Sequence, residues 1–547
     1  MARIASLIAI ALLCAGCGAA PAQNVPRDSG GPLLPEQAAY DVTFYDLDLR
    51  VQPDAQRIDG TVTVHATATA PLEQFVLNLD RLLQVRTVTQ QAEGERRMLN
   101  VERRADSNQV WIDLPRPVEA GETVRLTVGY GGTPRVAPNP PWDGGFTWAE
   151  TPGGAPWIAT SCQTIGADVW WPVKDHPSDE PDSMAIHVTV PDSLVVAANG
   201  TLRGTAQPAN GWQTYRWFAS TPINSYAVAL NIAPYATIDT TYRSVSETPI
   251  PVSFFVLPDE ERAARRVLPD LLDQVRFLEE TLRPYPFAAD KYGIARTPFL
   301  GMEHQTIIAH GSPLGSTNSL GYEAGFDALH FHELAHEWFG NFVTVRDWKD
   351  FWIHEGFATY LEALYAEELR GDSGYAAITD YFRRQITNRQ PIARREPAAV
   401  SQLYGRDIYF KGAMVLHTLR HFIGDDTFFA FLRRMAGRQA DQPVHVTTDD
   451  VIRIAEEEAG RDLGWFFDAY LYHAELPRLV TARSENELGL RWESPSEMPF
   501  VLPVEVQIDG ANRVVSMDGG VAVLDVPPEA SVSINPANDA LHQSTGD

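Results

Sequence analysis

Two stretches decide how this 547-residue chain is read: Phe331-His332-Glu333-Leu334-Ala335-His336-Glu337-Trp338-Phe339, and Phe351-Trp352-Ile353-His354-Glu355-Gly356. On a helix, residues four apart share a face, so His332 and His336 present two imidazoles to one point. Glu333 lies between them and reaches water held at that point. Glu355 follows after eighteen intervening residues and supplies a carboxylate. Two neutral imidazoles, one carboxylate and an open fourth position form the ligand set of a catalytic Zn2+, one per chain. A closed structural site would carry four protein ligands. Phe326, Leu329 and Phe331 before the motif, with Trp338 and Phe339 after it, are apolar enough to bury the helix. A second helical pattern starts near Glu355 and runs to Tyr365. Two packed helices joined by a turn over residues 343–350 would bring Glu355 back to the histidines.

The length calls for two to four domains. Apolar content of 44% and charged content of 21% are those of a globular protein. With 44 basic against 71 acidic residues the formal charge is −27. Nucleic acid is excluded as a partner, because its binding needs a basic footprint. The acidity fits solubility and also suits cationic peptides.

Residues 1–22 read as a targeting segment: Arg3, then an apolar run from Ala5 to Cys14 too short to span a membrane. Cys14-Ala15-Gly16-Cys17 is similar to a bacterial lipoprotein box, with Cys17 as the lipidated residue and the membrane as partner. Cleavage after Ala20-Pro21-Ala22 gives the alternative, a soluble exported form. Both place the protein in the bacterial cell envelope, lipid-anchored or periplasmic. Only Cys14, Cys17 and Cys162 are present, so no disulfide framework is expected. Cys162 has no basic partner in sequence and reads as a buried structural thiol.

The pattern along the chain gives a multidomain α+β protein. Residues 23–38 are polar, rich in Pro and Gly, and suit a tether. From 39 to 238 apolar residues alternate with period two (Val42/Phe44, Leu47/Leu49/Val51, Val62/Val64, Phe75/Leu77/Leu79, Ile186/Val188/Val190), which predicts a β-sandwich-like domain. Residues 134–154 read as a long loop. Residues 239–475 predict a mainly α, thermolysin-like catalytic domain. Its first apolar stripe is Leu268, Leu271, Leu272, Val275 and Leu278, and further helices are expected near 325–341, 355–370, 374–386, 411–422, 426–437 and 447–458. Residues 476–547 return to alternation and predict a small β domain.

With these pieces in place the chain resembles the aminopeptidase N family of gluzincin zinc metallopeptidases over nearly everything after the tether. Besides the metal motif, Leu300-Gly301-Met302-Glu303-His304 is similar to that family's Gly-x-Met-Glu-Asn loop, with Leu300 in place of the first Gly and His304 in place of Asn. Tyr409-Phe410-Lys411-Gly412 is similar to its Tyr-x-Lys-Gly segment. Ser161-Cys162-Gln163, with Trp170-Trp171-Pro172 and Lys174-Asp175, and Tyr285-Pro286-Phe287 with Lys291-Tyr292 extend the likeness.

The resemblance implies roles. Glu303, with Gln163, would bind the free α-amino group of a peptide substrate. Tyr409 would stabilise the tetrahedral intermediate, and Glu333 would act as general base. Larger relatives carry a helical roof over the site, and in this chain, which ends at Asp547, no such roof is expected. The implied activity is removal of the N-terminal residue from peptides. The alternatives are a zinc endopeptidase of thermolysin type and a non-catalytic, lipid-tethered peptide-binding protein.

Overall fold

The alternation that begins at Tyr40 becomes strand Tyr40–Gln52, fourth of eight in one large sheet. The structure is a computed structural model and describes residues 29–543, apart from 93, 105–106 and 438–439. The order across that sheet is Thr201–Ala209, Trp212–Ala219, Ser183–Pro191, Tyr40–Gln52, Arg57–Ala68, Thr123–Gly132, Leu83–Ala92 and Glu95–Met98. Leu47 pairs with Val62 on one side and Ile186 on the other, so three strands set their buried residues on one face. Burying each such side chain contributes ~1.5–3 kcal/mol, the main stabilising source where the one cysteine among the described residues is free.

The expected phase breaks after Val42. Val42 and Phe44 were assigned to one face, but a bulge between them shifts the register. Val42 and Tyr45 are buried and Phe44 is half-buried, because one extra residue moves every later side chain to the opposite face.

A three-stranded sheet (Leu72–Asn78, Gln109–Val118, Val101–Arg103) supplies a second layer. Phe75 stacks on Tyr40 at 4.1 Å and ties the layers together. A four-stranded sheet follows: Val195–Ala198, Leu230–Ala233, Pro156–Ser161 and Gly145–Glu150. Its last strand corrects the reading of 134–154 as all loop. The Pro- and Gly-rich ends hide a short Phe146-Thr147-Trp148 run, whose aromatic and β-branched residues favour a strand.

The next sheet is mixed and five-stranded: Ala236–Arg243, Pro249–Val256, Tyr292–Arg296, Ile308–His310 and Gly301–Met302. Its first strand runs across the boundary that the sequence pattern puts between 238 and 239. Helices then dominate: Glu261–Thr281, Ala328–Ala335, Trp352–Arg370, Asp372–Gln385, Arg406–Ile423, Asp425–Met435 and Thr448–Ala459. The periodic reading locates each of them, but Ala328–Ala335 stops six residues short of the expected 341 and Arg406–Ile423 starts five before the expected 411. Gly464–Leu471 escaped it. Trp465, Phe466, Phe467, Tyr470 and Leu471 are all buried, so this helix has no polar face to reveal a period.

Two three-stranded sheets close the described chain: Arg478–Arg483, Glu487–Glu493 and Val521–Asp525, then Ala511–Val515, Val504–Ile508 and Val532–Ile534. They are fastened to the helices where Tyr470 Oη donates to Leu541 O and Leu541 N donates to Thr418 Oγ1, at 2.5 and 3.0 Å.

Residues 29–38, expected within a tether, are packed. Ser29 is buried and receives the Trp348 indole N–H at 3.2 Å, and Pro35–Ala38 is a short helix. Gly30 has φ +80°, and a Cβ there would meet Trp348 Cδ1 at 2.2 Å. The targeting segment and Cys17 lie outside the described residues. Cys162 is a buried free thiol, and burial pushes its pKa up, as an inert structural thiol requires.

Candidate metal centre and substrate cleft

The helix Ala328–Ala335 is started by Asp327, whose carboxylate accepts the His330 N–H at 3.1 Å. His332 sits in its last turn and His336 at its C-cap. The chain turns back through strand Val343–Val345 and re-enters a helix at Trp352, three residues before Glu355. Glu355 therefore lies in a first helical turn, where the backbone dipole favours a carboxylate.

His332 Nε2 and His336 Nε2 are 3.1 Å apart, and each lies 3.3–3.4 Å from Glu355 Oε2. This near-equilateral triangle can be tested against a zinc ion. Ligand atoms ~2.0–2.1 Å from a common centre at tetrahedral angles are ~3.3–3.4 Å from one another. The three atoms fit. Glu355 Oε2 is buried without a hydrogen-bond partner, the state of a ligand oxygen rather than of a buried acid serving structure.

The outer nitrogens agree. His332 Nδ1 lies 2.8 Å from Glu362 Oε1, and His336 Nδ1 lies 2.8 Å from Phe339 O. Both acceptors require Nδ1 to carry the proton, which leaves both Nε2 lone pairs facing inward. Glu362 also accepts from Tyr322 Oη. The sequence reading missed Glu362. Its signal was present, since it follows Glu355 by seven residues and so lies on the same helix face two turns on.

Glu303 reaches the site from the edge strand Gly301–Met302 and the turn after it. Gly301 leaves room for both neighbours: a Cβ there would lie 2.5 Å from Glu333 Oε1 and 2.7 Å from Leu329 Cδ1 and would push on the ends of both side chains. The small residue of this loop is thus Gly301, while Leu300 stands at the neighbouring position. Asn341 Nδ2 donates to Glu303 O at 2.9 Å, and Glu337 Oε1 accepts the Thr306 N–H at 2.7 Å, so the loop is pinned from the metal side. His304 is fully buried, and burial pushes its pKa down to about 3, so it stands there neutral.

Gln163 makes two contacts at the site. Its Nε2 donates to Glu303 Oε1 at 2.5 Å and to Glu355 Oε1 at 2.8 Å. One amide thus spaces the Glu303 carboxylate from the metal-facing carboxylate. Carboxylate oxygens of Glu303 and Glu333 and a ring nitrogen of His336 lie within 4.8 Å of one another. Burial pushes Glu333 up to about 8, with Glu303 and Glu355 adding to the rise against the pull of His332 and His336.

Tyr409 lies in the first turn of helix Arg406–Ile423, its ring roughly parallel to that of His332 at 6.0 Å. Its hydroxyl is 3.2 Å from that of Tyr404, a residue that the sequence reading did not single out. Burial, then Glu355 and Tyr404, push the Tyr409 pKa well up, which keeps the phenol a proton donor. The helix sits close because Gly412 faces Gly356: a Cβ on Gly412 would be 2.9 Å from Gly356 Cα. All seven residues singled out from sequence (Gln163, Glu303, His332, Glu333, His336, Glu355 and Tyr409) line one cleft, shared with Trp142, Leu320 and Tyr404.

Residues 42–227 match the family description "Peptidase M1 N-terminal domain", and residues 285–470 match "Peptidase family M1 domain". The chain belongs to the M1 peptidase family. It is 24% identical to human endoplasmic reticulum aminopeptidase 1 over 70% of this chain and 42% of that protein. It is 28% identical to leucine aminopeptidase 2 of Emericella nidulans over 69% of this chain and 63% of that protein. The chain therefore spans less than two thirds of the length of these curated relatives. A crystal structure of an M1 zinc metallopeptidase variant from Deinococcus radiodurans, bound to a Tyr-Ser-Ala substrate, superposes with a TM-score of 0.66 at 27% identity. That match covers 82% of this chain and 98% of the other.

Proposed function

We propose that this M1 chain is a zinc-dependent aminopeptidase, with His332, His336 and Glu355 holding the metal. The observation that carries the reading is Glu303, a buried carboxylate set beside the ligand triad by Gln163. A cation at the end of a peptide answers that carboxylate. An internal peptide bond would leave it buried without a partner, at a cost of several kcal/mol by the usual scale.

Zinc, when bound, supplies Lewis acidity that activates water and polarises a carbonyl. The rest is done by side chains. Glu333 takes a proton from the attacking water and hands it to the departing amine. Tyr409 donates a hydrogen bond to the oxygen that gains charge past the ground state. Glu303 and Gln163 fix the α-ammonium group and so the register of the cut.

Export, with a lipid on Cys17, belongs to the same proposal and is supported by the sequence of residues 1–22. None of the described helices is long and apolar enough to cross a membrane. The test is hydrolysis of aminoacyl fluorophores and peptides, free and N-acetylated, with and without a zinc chelator. Chelator-sensitive cleavage of the free set alone is expected. Cleavage of the acetylated peptides would make the protein an endopeptidase, and zinc content without turnover of any peptide would make it a binding protein.

A further inference from the structure

A second pair of histidines repeats the spacing of the first. His417 and His421 are four apart on helix Arg406–Ile423, and their ring centroids are 4.7 Å apart, the same separation as between His332 and His336. A carboxylate completes the likeness. Asp539 Oδ1 lies 3.4 Å from His421 Nδ1, as Glu355 Oε2 lies 3.4 Å from His336 Nε2. One ligand atom from each of His417, His421 and Asp539 falls within 4.8 Å of the other two. None of the three lines the cleft of the proposed reaction.

The carboxylate comes from the C-terminal segment, on a turn that is braced from within. Asn535 Nδ2 donates to Ala540 O at 2.8 Å, and Asn535 Oδ1 accepts the Ala540 N–H at 3.1 Å. The next residue, Leu541, is fastened to Thr418 on the same helix as the histidines. Asp539 is thus presented to that helix in a fixed place. A cavity of about 150 Å³ adjoins the group, with His421, Asp539 and Glu505 in its wall.

The surrounding bonds leave a lone pair on each ring. Burial, then the neighbouring His421, push the His417 pKa down to about 3, and burial also lowers that of His421. Both imidazoles are therefore neutral. His417 Nδ1 lies 2.7 Å from Tyr375 Oη, which lies 2.9 Å from Tyr360 Oη. A phenol that donates to its neighbour can accept the Nδ1 proton, which leaves His417 Nε2 free. That Nε2 is 3.1 Å from Asn538 O, close to the ~3.3–3.4 Å between two ligand atoms of one zinc. Without an ion the same contact is a plain Nε2–H hydrogen bond to the carbonyl. Arg420 is the nearby cation, and it is neutralised by Glu367 and Asp425 at 2.7 and 2.9 Å.

We propose that His417, His421 and Asp539 form a second site for a divalent transition-metal ion, which clasps the C-terminal β segment to the helix that carries Tyr409. Two imidazoles and a carboxylate suit Zn2+ and its first-row neighbours, whereas Ca2+ and Mg2+ favour all-oxygen sites. The side chains of His421 and Asp539 are 38% and 27% exposed, so this ion exchanges far more readily than one held in the buried triad.

The experiment uses the full chain, dialysed until the triad alone keeps its zinc, then equilibrated with Zn2+ across the micromolar range. Parent, H421A and D539N are compared by metal content and by thermal melting. The parent should take up a second zinc, and its Tm should rise with free Zn2+ over the same range. Each substitution removes one ligand far from the cleft. Both variants should keep the first zinc and parental turnover, bind the second ~10–100-fold more weakly or worse, and lose the zinc dependence of Tm. A parent that takes up no second zinc overturns the inference. So does a second zinc that both variants hold as well as the parent, which would be an adventitious ion only. A parent Tm indifferent to a second zinc that the variants do lose overturns the clasp.

Discussion

Replacing Gly412 with Ala tests how the site is assembled. The added Cβ would lie 2.9 Å from Gly356 Cα, whereas carbon atoms pack at ~3.5–4.0 Å. The two helices must therefore part by ~0.6–1 Å. Helix Trp352–Arg370 is tied to His332 through Glu362, so helix Arg406–Ile423 does the moving. Alanine favours a helix over glycine by up to ~1 kcal/mol, but overpacking a close crossing costs ~1–3 kcal/mol, so strain outweighs propensity. A fall in Tm of ~2–10 °C follows for a domain of this size. Tyr409 is three residues before Gly412 and Glu355 one before Gly356, so the displacement arrives at the cleft almost undiminished. A misplacement near 1 Å costs up to ~10²-fold in rate, so kcat should fall ~10–100-fold while zinc content stays at one per chain. The assay is steady-state turnover, with metal analysis and a thermal melt on the same sample. A variant with parental kcat and parental Tm would refute the claim that this glycine pair sets the position of Tyr409.

Three further outcomes are expected. Glu362→Ala removes the acceptor of the His332 Nδ1 proton and should weaken zinc affinity ~10–100-fold in competition with a chelator; affinity within twofold of the parent would exclude that role. Glu333→Gln should bind zinc normally and lose ~10²–10⁴-fold in turnover; retained activity would remove Glu333 as the base. Burial pushes Glu180 up to about 8, with Asp179 adding to the rise, from an ordinary 4.5. Between these values the folded protein holds one proton more than the unfolded chain, so stability falls as pH rises, by at most ~1.4 kcal/mol per unit. The Tm of Glu180→Gln should therefore gain on that of the parent from pH 5 to pH 8, and a constant difference would contradict the burial argument.

Much of this was legible in sequence because it is local. His332, His336 and Glu355 are close in the chain, and helix periodicity brings them to one point. The alternation of the large sheet was equally plain, since a sheet with one buried face forces period two. What escaped depends on contacts that no local pattern records. The double contact of Gln163 spans 140 residues to Glu303 and 192 to Glu355. Trp142 sits in a Pro- and Gly-rich stretch that carries no period at all. The phase change after Val42 comes from one extra residue, and the packing of residues 29–38 from an indole more than three hundred positions away.

The reach of Gln163 also divides the site between two halves of the chain. Both its acceptors belong to the helical half of the molecule, and both histidines with their supporting acceptors are contained there too. That half carries the whole of the proposed ligand set. Without the β-rich half, however, Glu303 and Glu355 would face one another with no amide between them, and the proposed α-ammonium pocket would be incomplete. The segment made first by the ribosome thus supplies the amide that links Glu303 to Glu355, so the proposed α-ammonium site needs both halves in place.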